Sequence, residues 1–278
     1  MLAARLLVDR VRALGPKRDL RDSEFQVFSQ WGGDGIIQYL IQQVPDAPQT
    51  FIEFGVQDYR ESNTRFLLMN DNWTGLVMDG SQAYMEYVRA DDISWRHDLT
   101  AVAAFLTREN INQTIRGAGF SGPLGILSID IDGNDYWIWE VLDVVDPSIV
   151  IAEYNSVFGP ERTISIPYDP EFNRTKAHSS NLFWGCSLGA LCLLAERKGY
   201  AFVGSDSNGA NAYFVKKTLA GNLRQLTCKQ GYVASRFRES RDPQGNLTFL
   251  RGEERFRTIA DMTVVDVKTG RQARLCES

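Results

Sequence analysis

Residues 51–55 read FIEFG, and this short stretch decides the fold. Its apolar residues predict a buried strand, and the acid and glycine at its end predict a tight turn. From residue 50 onward, apolar runs alternate with stretches whose apolar residues lie three or four positions apart. The runs are TFIEF, GLVMD, LGILSID and SIVIAEY. This alternation is typical of a parallel sheet with helices on both faces.

The end of the alternating series predicts a hairpin. A helix is predicted over residues 184–198, and YAFVGSD, the turn-rich SNGAN and AYFVKK follow it. We therefore predict an α/β fold whose mostly parallel sheet closes with a C-terminal antiparallel hairpin. The predicted domains are an N-terminal helical cap (1–45), the α/β domain (46–217) and a C-terminal appendage (218–278).

Composition excludes some classes of partner. The 278 residues carry a formal net charge of −5, which disfavours binding to phosphate backbones, so no nucleic acid partner is expected. Charged residues interrupt the apolar N-terminal stretch MLAARLLVDRVRALG, which predicts an amphipathic helix and no membrane span. We expect a cytoplasmic protein and leave open a homo-oligomer.

The ends of the first two predicted strands carry residues suited to a nucleotide-like ligand. Ligands of open parallel sheets bind beyond the carboxyl ends of the strands. Glu53 ends the first strand, and Gly55 lets a ligand approach the backbone. Asp79 ends the second strand, at a spacing suited to ribose hydroxyls. The lack of GxGxxG argues against NAD. The alternative is that both acids cap helices and the glycine only makes a turn.

The segments FIEFGVQDYRESNTRFLL and LVMDGS resemble the first two cofactor motifs of class I S-adenosylmethionine-dependent methyltransferases. The resemblance implies a Rossmann-like, seven-stranded sheet and S-adenosylmethionine as cofactor. It places Asp79 at the ribose and Asp98, expected at the end of the third strand, near the adenine. The other residues that it places along the cofactor are Glu53, Gly55, Val56, Gln57, Ser62, Gly80 and Ser81. The usual second glycine is missing, because residues 58–60 read DYR.

A group of acids follows the next two predicted strands. Asp130, Asp132 and Asp135 lie in SIDIDGNDYWIWE, and Glu153 and Asn155 end the strand after it. Their oxygen atoms converge at one sheet edge and suit Mg²⁺ or Mn²⁺. The alternative is that Asp130 and Asp132 cap the following helix and hold its amides, with Asp135 stabilised by the helix dipole.

This acidic portion resembles metal-dependent sugar O-methyltransferases and the FkbM-type group, which carries an Asp-x-acid-Gly segment here. By that resemblance Asp130 and Glu153 hold the metal, and Asn155 stands where a second acid is usual, with an amide oxygen that is able to bind a metal.

Methyl transfer to a hydroxyl needs a group that takes up the proton. His178 is the preferred candidate because histidine titrates near neutral pH. It lies in the long connection 156–183, which is predicted to be a substrate or lid loop. Asp132 or Asp135 is the next candidate, and the alternative for His178 is a surface residue that pins the loop.

The sequence thus predicts an O-methyltransferase whose acceptor is a hydroxyl of a sugar, a nucleotide sugar or a glycan end. Two alternatives stay open. One keeps the fold and takes a natural product or another small molecule as acceptor. The other is a non-catalytic, cofactor-binding scaffold in glycan assembly, in which the acids only cap helices.

Overall fold

The computed structural model describes residues 2–13 and 19–278, and these form two sheets with helices around them. The strands, in chain order, are β1 (Thr50–Phe54), β2 (Thr74–Asp79), β3 (Leu99–Ala103), β4 (Gly122–Ile129), β5 (Val145–Glu153), β6 (Ile164–Ser165), β7 (Tyr200–Ser205), β8 (Asn211–Lys216), β9 (Thr263–Asp266) and β10 (Gln272–Arg274).

The helices are mostly short and connect the strands. They are α1 (Leu2–Ala13), α2 (Gly33–Gln43), α3 (Arg65–Asp71), α4 (Gln82–Ala90), α5 (Ile93–Arg96), α6 (Ile111–Gly117), α7 (Asp135–Val141), α8 (Arg174–Ala177), α9 (Leu188–Arg197), α10 (Cys228–Gly231) and α11 (Glu253–Thr258). Short 3₁₀ turns cover Leu20–Ser23, Ser156–Phe158 and Leu275–Glu277.

The larger sheet has the strand order β3-β2-β1-β4-β5-β8-β7. Its central strands are parallel, and β8 runs antiparallel to both of its neighbours. This is the arrangement of the class I methyltransferase fold. The predicted fold class and the predicted closing hairpin are therefore confirmed.

Both faces of the larger sheet are covered by apolar cores. Strand β1 shows why, since Phe51, Ile52 and Phe54 are all buried and alternate between the two faces. One core holds side chains of α1, α2 and α3, and the other holds those of α6, α7 and α9. Each fully buried large side chain contributes about 1.5–3 kcal/mol, so the strands are held firmly from both sides.

A second, three-stranded sheet has the order β10-β9-β6. Strand β6 lies in the predicted lid loop, whereas β9 and β10 lie in the predicted appendage, and the strands pair antiparallel. A third apolar core joins the same two segments, with Phe158, Ile164 and Leu182 packed among Val264 and Leu275. The sequence analysis did not predict this sheet. It anchors residues 156–183 to the C-terminal segment.

The predicted N-terminal cap contains α1 and α2, which pack against each other. Residues 1 and 14–18 of that cap lie outside the described residues. Among the residues that the structure describes, no helix has the length and apolar character needed to cross a membrane.

Gly55 stands where β1 and β4 come closest at their carboxyl ends. Its φ is 74°, a conformation that favours glycine. A Cβ atom at this position would lie 1.6 Å from the backbone oxygen of Asp130. Any side chain here would therefore push the two strand ends apart.

We predict that Gly55→Ala lowers the free energy of unfolding by about 2–5 kcal/mol, from left-handed strain and overlap with backbone atoms. Thermal denaturation measures the change. Gly117→Ala is the control, because a Cβ there meets no atom within 4 Å, and its melting temperature is expected to stay within about 2 °C of the wild type. An equal melting temperature for Gly55→Ala would contradict the prediction.

Candidate active site

Two adjoining cavities lie at the carboxyl ends of β1, β2, β4 and β5. The first, here called the apolar cavity, has a volume of about 240 Å³ and is walled in part by Met78, Phe105 and Leu106. The second, here called the acidic cavity, has a volume of about 310 Å³. Both are lined by Gly55, Gln57, Asp130 and Asp132, so the two cavities adjoin at these residues.

Glu53 holds the turn that follows β1 by accepting hydrogen bonds from it. Its carboxylate accepts hydrogen bonds from the backbone of Asn63 at 2.8 Å, from the Ser62 hydroxyl at 2.9 Å and from the Thr64 hydroxyl and backbone. Burial raises the pKa of Glu53, and these hydrogen bonds oppose the rise. Glu53, Ser62 and Asn63 all line the acidic cavity.

The missing second glycine is replaced by unusual backbone conformations. Gln57 and Tyr59 have φ angles of 49° and 62°, values that residues other than glycine rarely adopt. The Tyr59 ring is fully buried and its hydroxyl lies 3.0 Å from the Thr64 hydroxyl. Val56 is buried beside it. The DYR sequence therefore builds a tight turn by anchoring a tyrosine in the core.

Asp79 lies on the apolar cavity with half of its hydrogen-bonding capacity free. Its two carboxylate oxygens accept the backbone amides of Gln57 at 2.9 Å and Ser81 at 2.8 Å. A carboxylate has about four lone-pair sites, so about two remain for a ligand. Gly80 lines the same cavity. Ser81 lines neither cavity and instead caps α4 by accepting the amide of Tyr84.

The expected position of Asp98 is wrong. Strand β3 begins at Leu99 and runs parallel to β2, so Asp98 lies at the amino end of the strand, on the edge opposite to Asp79. Its carboxylate accepts the Thr74 hydroxyl at 3.0 Å. Phe105 and Leu106, which follow the true end of β3, occupy the expected place.

Three carboxylates meet where the two cavities join. Oxygen atoms of Asp130, Asp132 and Glu153 all lie within 4.8 Å of one another. Burial and the neighbouring acids raise the pKa of Asp130 and of Glu153. The buried Oε2 of Glu153 has no hydrogen-bond partner among the described residues. We call this group the carboxylate cluster.

Among the described residues, one cation touches the carboxylate cluster. Arg174 forms an ion pair with Asp132 and donates to the backbone oxygen of Asn181 at 2.8 Å. Its guanidinium lies over the Trp184 ring at 4.9 Å. A single arginine leaves negative charge in the cluster uncompensated, which suits a further cation or a shared proton.

Asp135 was also predicted to lie in this group of acids, but it supports the carboxylate cluster instead of joining it. The carboxylate of Asp135 accepts the backbone amides of Ile131 at 2.8 Å and Gly133 at 2.9 Å, and burial raises its pKa to about 6. It therefore pins the loop that carries Asp130 and Asp132, which precedes α7.

Asn155 lines the acidic cavity, but its side chain is fully engaged. Its amide nitrogen donates to the backbone oxygens of Leu182 and Trp184, and its amide oxygen accepts from Val157 at 3.0 Å. The backbone of the protein thus already engages the Asn155 amide, whereas Asp132 lies with Asp130 and Glu153 as a potential metal ligand.

His178 lines neither cavity. Its Nδ1 lies 2.7 Å from the hydroxyl of Ser180, and burial lowers its pKa. The structure thus places it where the alternative expected, as a residue that pins the loop, and gives its catalytic assignment no support.

Several cavity residues were not predicted from the sequence, and they come from the N-terminal cap, the β7–β8 turn and the C-terminal segment. They are Gln30, Trp31, Asn208, Ser235, Phe237, Glu239 and Arg255. In Trp31, Asn208 and Arg255, a buried side-chain nitrogen has no hydrogen-bond partner among the described residues. Such donors suit a polar ligand. No motif marks these residues, because only the folded chain brings them to the site.

No protein-family model and no curated protein matches the sequence. Solved structures with a similar fold include the N-terminal domain of EvdMO1 in the presence of SAH and D-fucose, at 11% identity and a TM-score of 0.43, covering 77% of this chain and 96% of that chain. A putative caffeoyl-CoA O-methyltransferase from Staphylococcus aureus has 14% identity and a TM-score of 0.42, with coverage of 78% and 100%. An O-methyltransferase from Bacillus cereus in complex with SAH has 14% identity and a TM-score of 0.41, with coverage of 76% and 90%.

We predict that Glu53→Gln lowers the free energy of unfolding by about 1–3 kcal/mol, because an amide group replaces an acceptor for several buried donors. Chemical denaturation measures the change. Glu61→Gln is the matched control, since Glu61 is an exposed neighbour in the same turn, and it is expected to have the stability of the wild type. Equal losses in both variants would show that Glu53 does not hold the turn.

Proposed function

We propose that the chain is an S-adenosylmethionine-dependent O-methyltransferase that methylates a hydroxyl of a sugar, a nucleotide sugar or a glycan end. One observation carries the proposal. A cavity lined by Asp79 and by apolar side chains adjoins a cavity that is lined by three clustered carboxylates. The first part suits a nucleoside, and the second suits a hydroxyl that must lose a proton.

The apolar cavity has the groups that an adenosine needs. Asp79 retains lone pairs for two ribose hydroxyls, and Phe105, Leu106 and Met78 offer apolar surface to a purine ring. Gly55, Val56 and Gln57 continue the wall towards the carboxylate cluster, on the path of the methionine part. When bound, S-adenosylmethionine supplies a methyl group on a sulfonium sulfur.

The carboxylate cluster fits a divalent cation. Its three side chains offer hard oxygen atoms, and Glu153 has a buried oxygen that no described donor satisfies. Asp130, Asp132 and Glu153 would hold the ion, with Mg²⁺ or Mn²⁺ favoured by this donor set. Such an ion lowers the pKa of a nearby sugar hydroxyl.

Without an ion, the same carboxylates can handle the proton themselves. Because burial and the neighbouring acids raise the pKa values of Asp130 and Glu153, each is a stronger base than an ordinary carboxylate. The Glu153 carboxylate is the group that takes up the acceptor's proton in this case. A cation and a shared proton are thus two ways to neutralise one cluster.

The aromatic and polar lining of the acidic cavity supports a sugar as acceptor. Trp31, Trp184 and Phe237 offer rings for the faces of a sugar, while Asn208 offers an amide for its hydroxyls. The resemblance to FkbM-type and metal-dependent sugar enzymes points to the same acceptor class.

We predict that purified protein binds S-adenosylmethionine and that Asp79→Ala weakens this binding at least about tenfold, because the ribose loses its charged acceptor. Isothermal titration calorimetry gives both affinities. Asp98→Ala is the control, because the structure puts that acid on the opposite edge, and it should bind like the wild type. If the wild type releases no heat, the proposed function fails.

We predict that Mn²⁺ raises the melting temperature of EDTA-treated protein and that Asp130→Asn removes this effect. Replacing a residue that only supports a metal ligand typically weakens metal binding roughly 10–100-fold. Asp130 would bind the ion directly, so its replacement should weaken Mn²⁺ binding at least as much. Metal-free Asp130→Asn should melt above metal-free wild type, since one repelling carboxylate is gone. Glu161→Gln is the control, because its exposed side chain pairs with Lys229. Equal stabilisation of Asp130→Asn by Mn²⁺ would exclude this metal site.

A further inference from the structure

A groove lined by four arginines lies next to the acidic cavity. Arg236, Arg238, Arg251 and Arg255 line it, together with Ser235. The groove has a volume of about 420 Å³ and is open to solvent over much of its extent. It belongs to the C-terminal segment, residues 218–278, which contains 11 Lys and Arg against 7 Asp and Glu although the whole chain has a net charge of −5. We call it the arginine groove.

Arg255 is the most informative of the four. It is only 9% exposed, and its Nε atom is buried without a hydrogen-bond partner. Within the described part of the chain, its guanidinium has no acidic side chain within 4 Å. Burying an arginine costs free energy unless an anion or a set of acceptors compensates for the lost water. A buried arginine with an unpaired donor is therefore suited to an external anion.

The acids of the same segment do not supply that anion. Glu239 lies 3.0 Å from Arg241 and 3.8 Å from Arg174, and Glu253 lies 3.0 Å from Arg257. Glu254 accepts the backbone amide of Arg251, with no arginine paired to it among the described residues. The exposed side chains of Arg236, Arg238 and Arg251 likewise form no described ion pair, so the positive charge of the groove is not neutralised.

The arginine groove and the acidic cavity adjoin. Ser235 and Arg255 line both of them. The carboxylate cluster lines the acidic cavity and the free arginines line the groove beside it. A ligand that spans the cavity and the groove has its hydroxyl at the carboxylates and a negative group at the arginines.

We propose that the arginine groove binds a phosphate or diphosphate group of the acceptor, with Arg255 as the residue that determines this specificity. The planar guanidinium donates two parallel hydrogen bonds to phosphate oxygens, and several arginines together match the charge of a diphosphate. The carboxylate cluster repels the same group, so the acceptor enters in one orientation. This inference rests on the proposed function for its acceptor, whereas the anion site itself exists without any methyl transfer.

The test uses the full chain and two probes, inorganic pyrophosphate and uridine diphosphate, without S-adenosylmethionine. Calorimetry at low ionic strength should show binding of both probes to the wild type. Arg255→Gln should weaken it at least about tenfold, the loss expected for one charge-assisted bidentate contact. Arg257→Gln is the matched control, because Arg257 lies on the same helix, is exposed and pairs with Glu253. It should bind both probes like the wild type.

Stability provides a second readout. Because Arg255 is buried without compensation, Arg255→Gln should melt at or above the temperature of the ligand-free wild type, and pyrophosphate should raise the melting temperature of the wild type alone. If Arg255→Gln does not fold, the double variant Arg236→Gln/Arg251→Gln, which changes two exposed arginines, replaces it in the calorimetric test. This double variant should weaken binding of both probes by a similar factor.

Two results would overturn the anion site. One is the absence of binding of either probe to the wild type. The other is an equal loss of binding in Arg255→Gln and Arg257→Gln, which would reveal only a general attraction of anions to positive charge. Tighter binding of uridine diphosphate than of pyrophosphate would support a nucleotide-linked acceptor, and equal binding would support recognition of the phosphates alone. Failure to bind S-adenosylmethionine would remove the proposed function and leave these measurements intact.

Discussion

The close approach of Gly55 to the backbone of Asp130 is the constraint on which the site depends. The two residues follow neighbouring parallel strands, and the distance left for a Cβ at Gly55 is far below a normal contact. Because the strand ends meet here, residues after β1 line the apolar cavity and the acidic cavity at once. A bulkier residue would separate the carboxylate cluster from the turn that continues towards Asp79. One glycine thus joins the two halves of the space.

The same edge of the sheet gathers charge that costs stability. Three carboxylates lie together, one arginine touches them, and a second arginine is buried without an anion. Repulsion and burial both disfavour this arrangement in the isolated protein. Evolved proteins retain such groups mainly where a ligand, an ion or a reaction uses them. The local cost therefore argues for function more strongly than the general likeness of the fold.

Much of the fold was predictable from the sequence because the central strands are buried on both faces. TFIEF and LGILSID read as apolar runs, and the acids that end them stay at the sheet edge whatever the packing around them. Strand β3 was harder to locate because its residues are only half buried and a short helix, Ile93–Arg96, precedes it. That weak signal explains the misplacement of Asp98 and the failure to recognise Phe105.

The roles of the acids and of the C-terminal segment needed the folded chain. Asp130 and Asp135 look alike in the sequence, yet Asp130 faces the cavities, whereas the carboxylate of Asp135 accepts hydrogen bonds from two loop amides. His178 was preferred for its titration range, which says nothing about its position. The pairing of β6 with β9 joins segments about a hundred residues apart, and no local pattern encodes such a pairing.

That pairing also explains why the site extends beyond the α/β sheet. The loop that carries Arg174 and Trp184 is held against the C-terminal segment by a shared apolar core, and the same segment contributes Ser235 and Arg255 to the acidic cavity. The sheet edge therefore supplies the carboxylate cluster and the apolar cavity, whereas the C-terminal segment supplies the arginine groove. If the proposed function holds, the groups that react lie on the sheet, and the choice of acceptor resides mainly in the C-terminal segment.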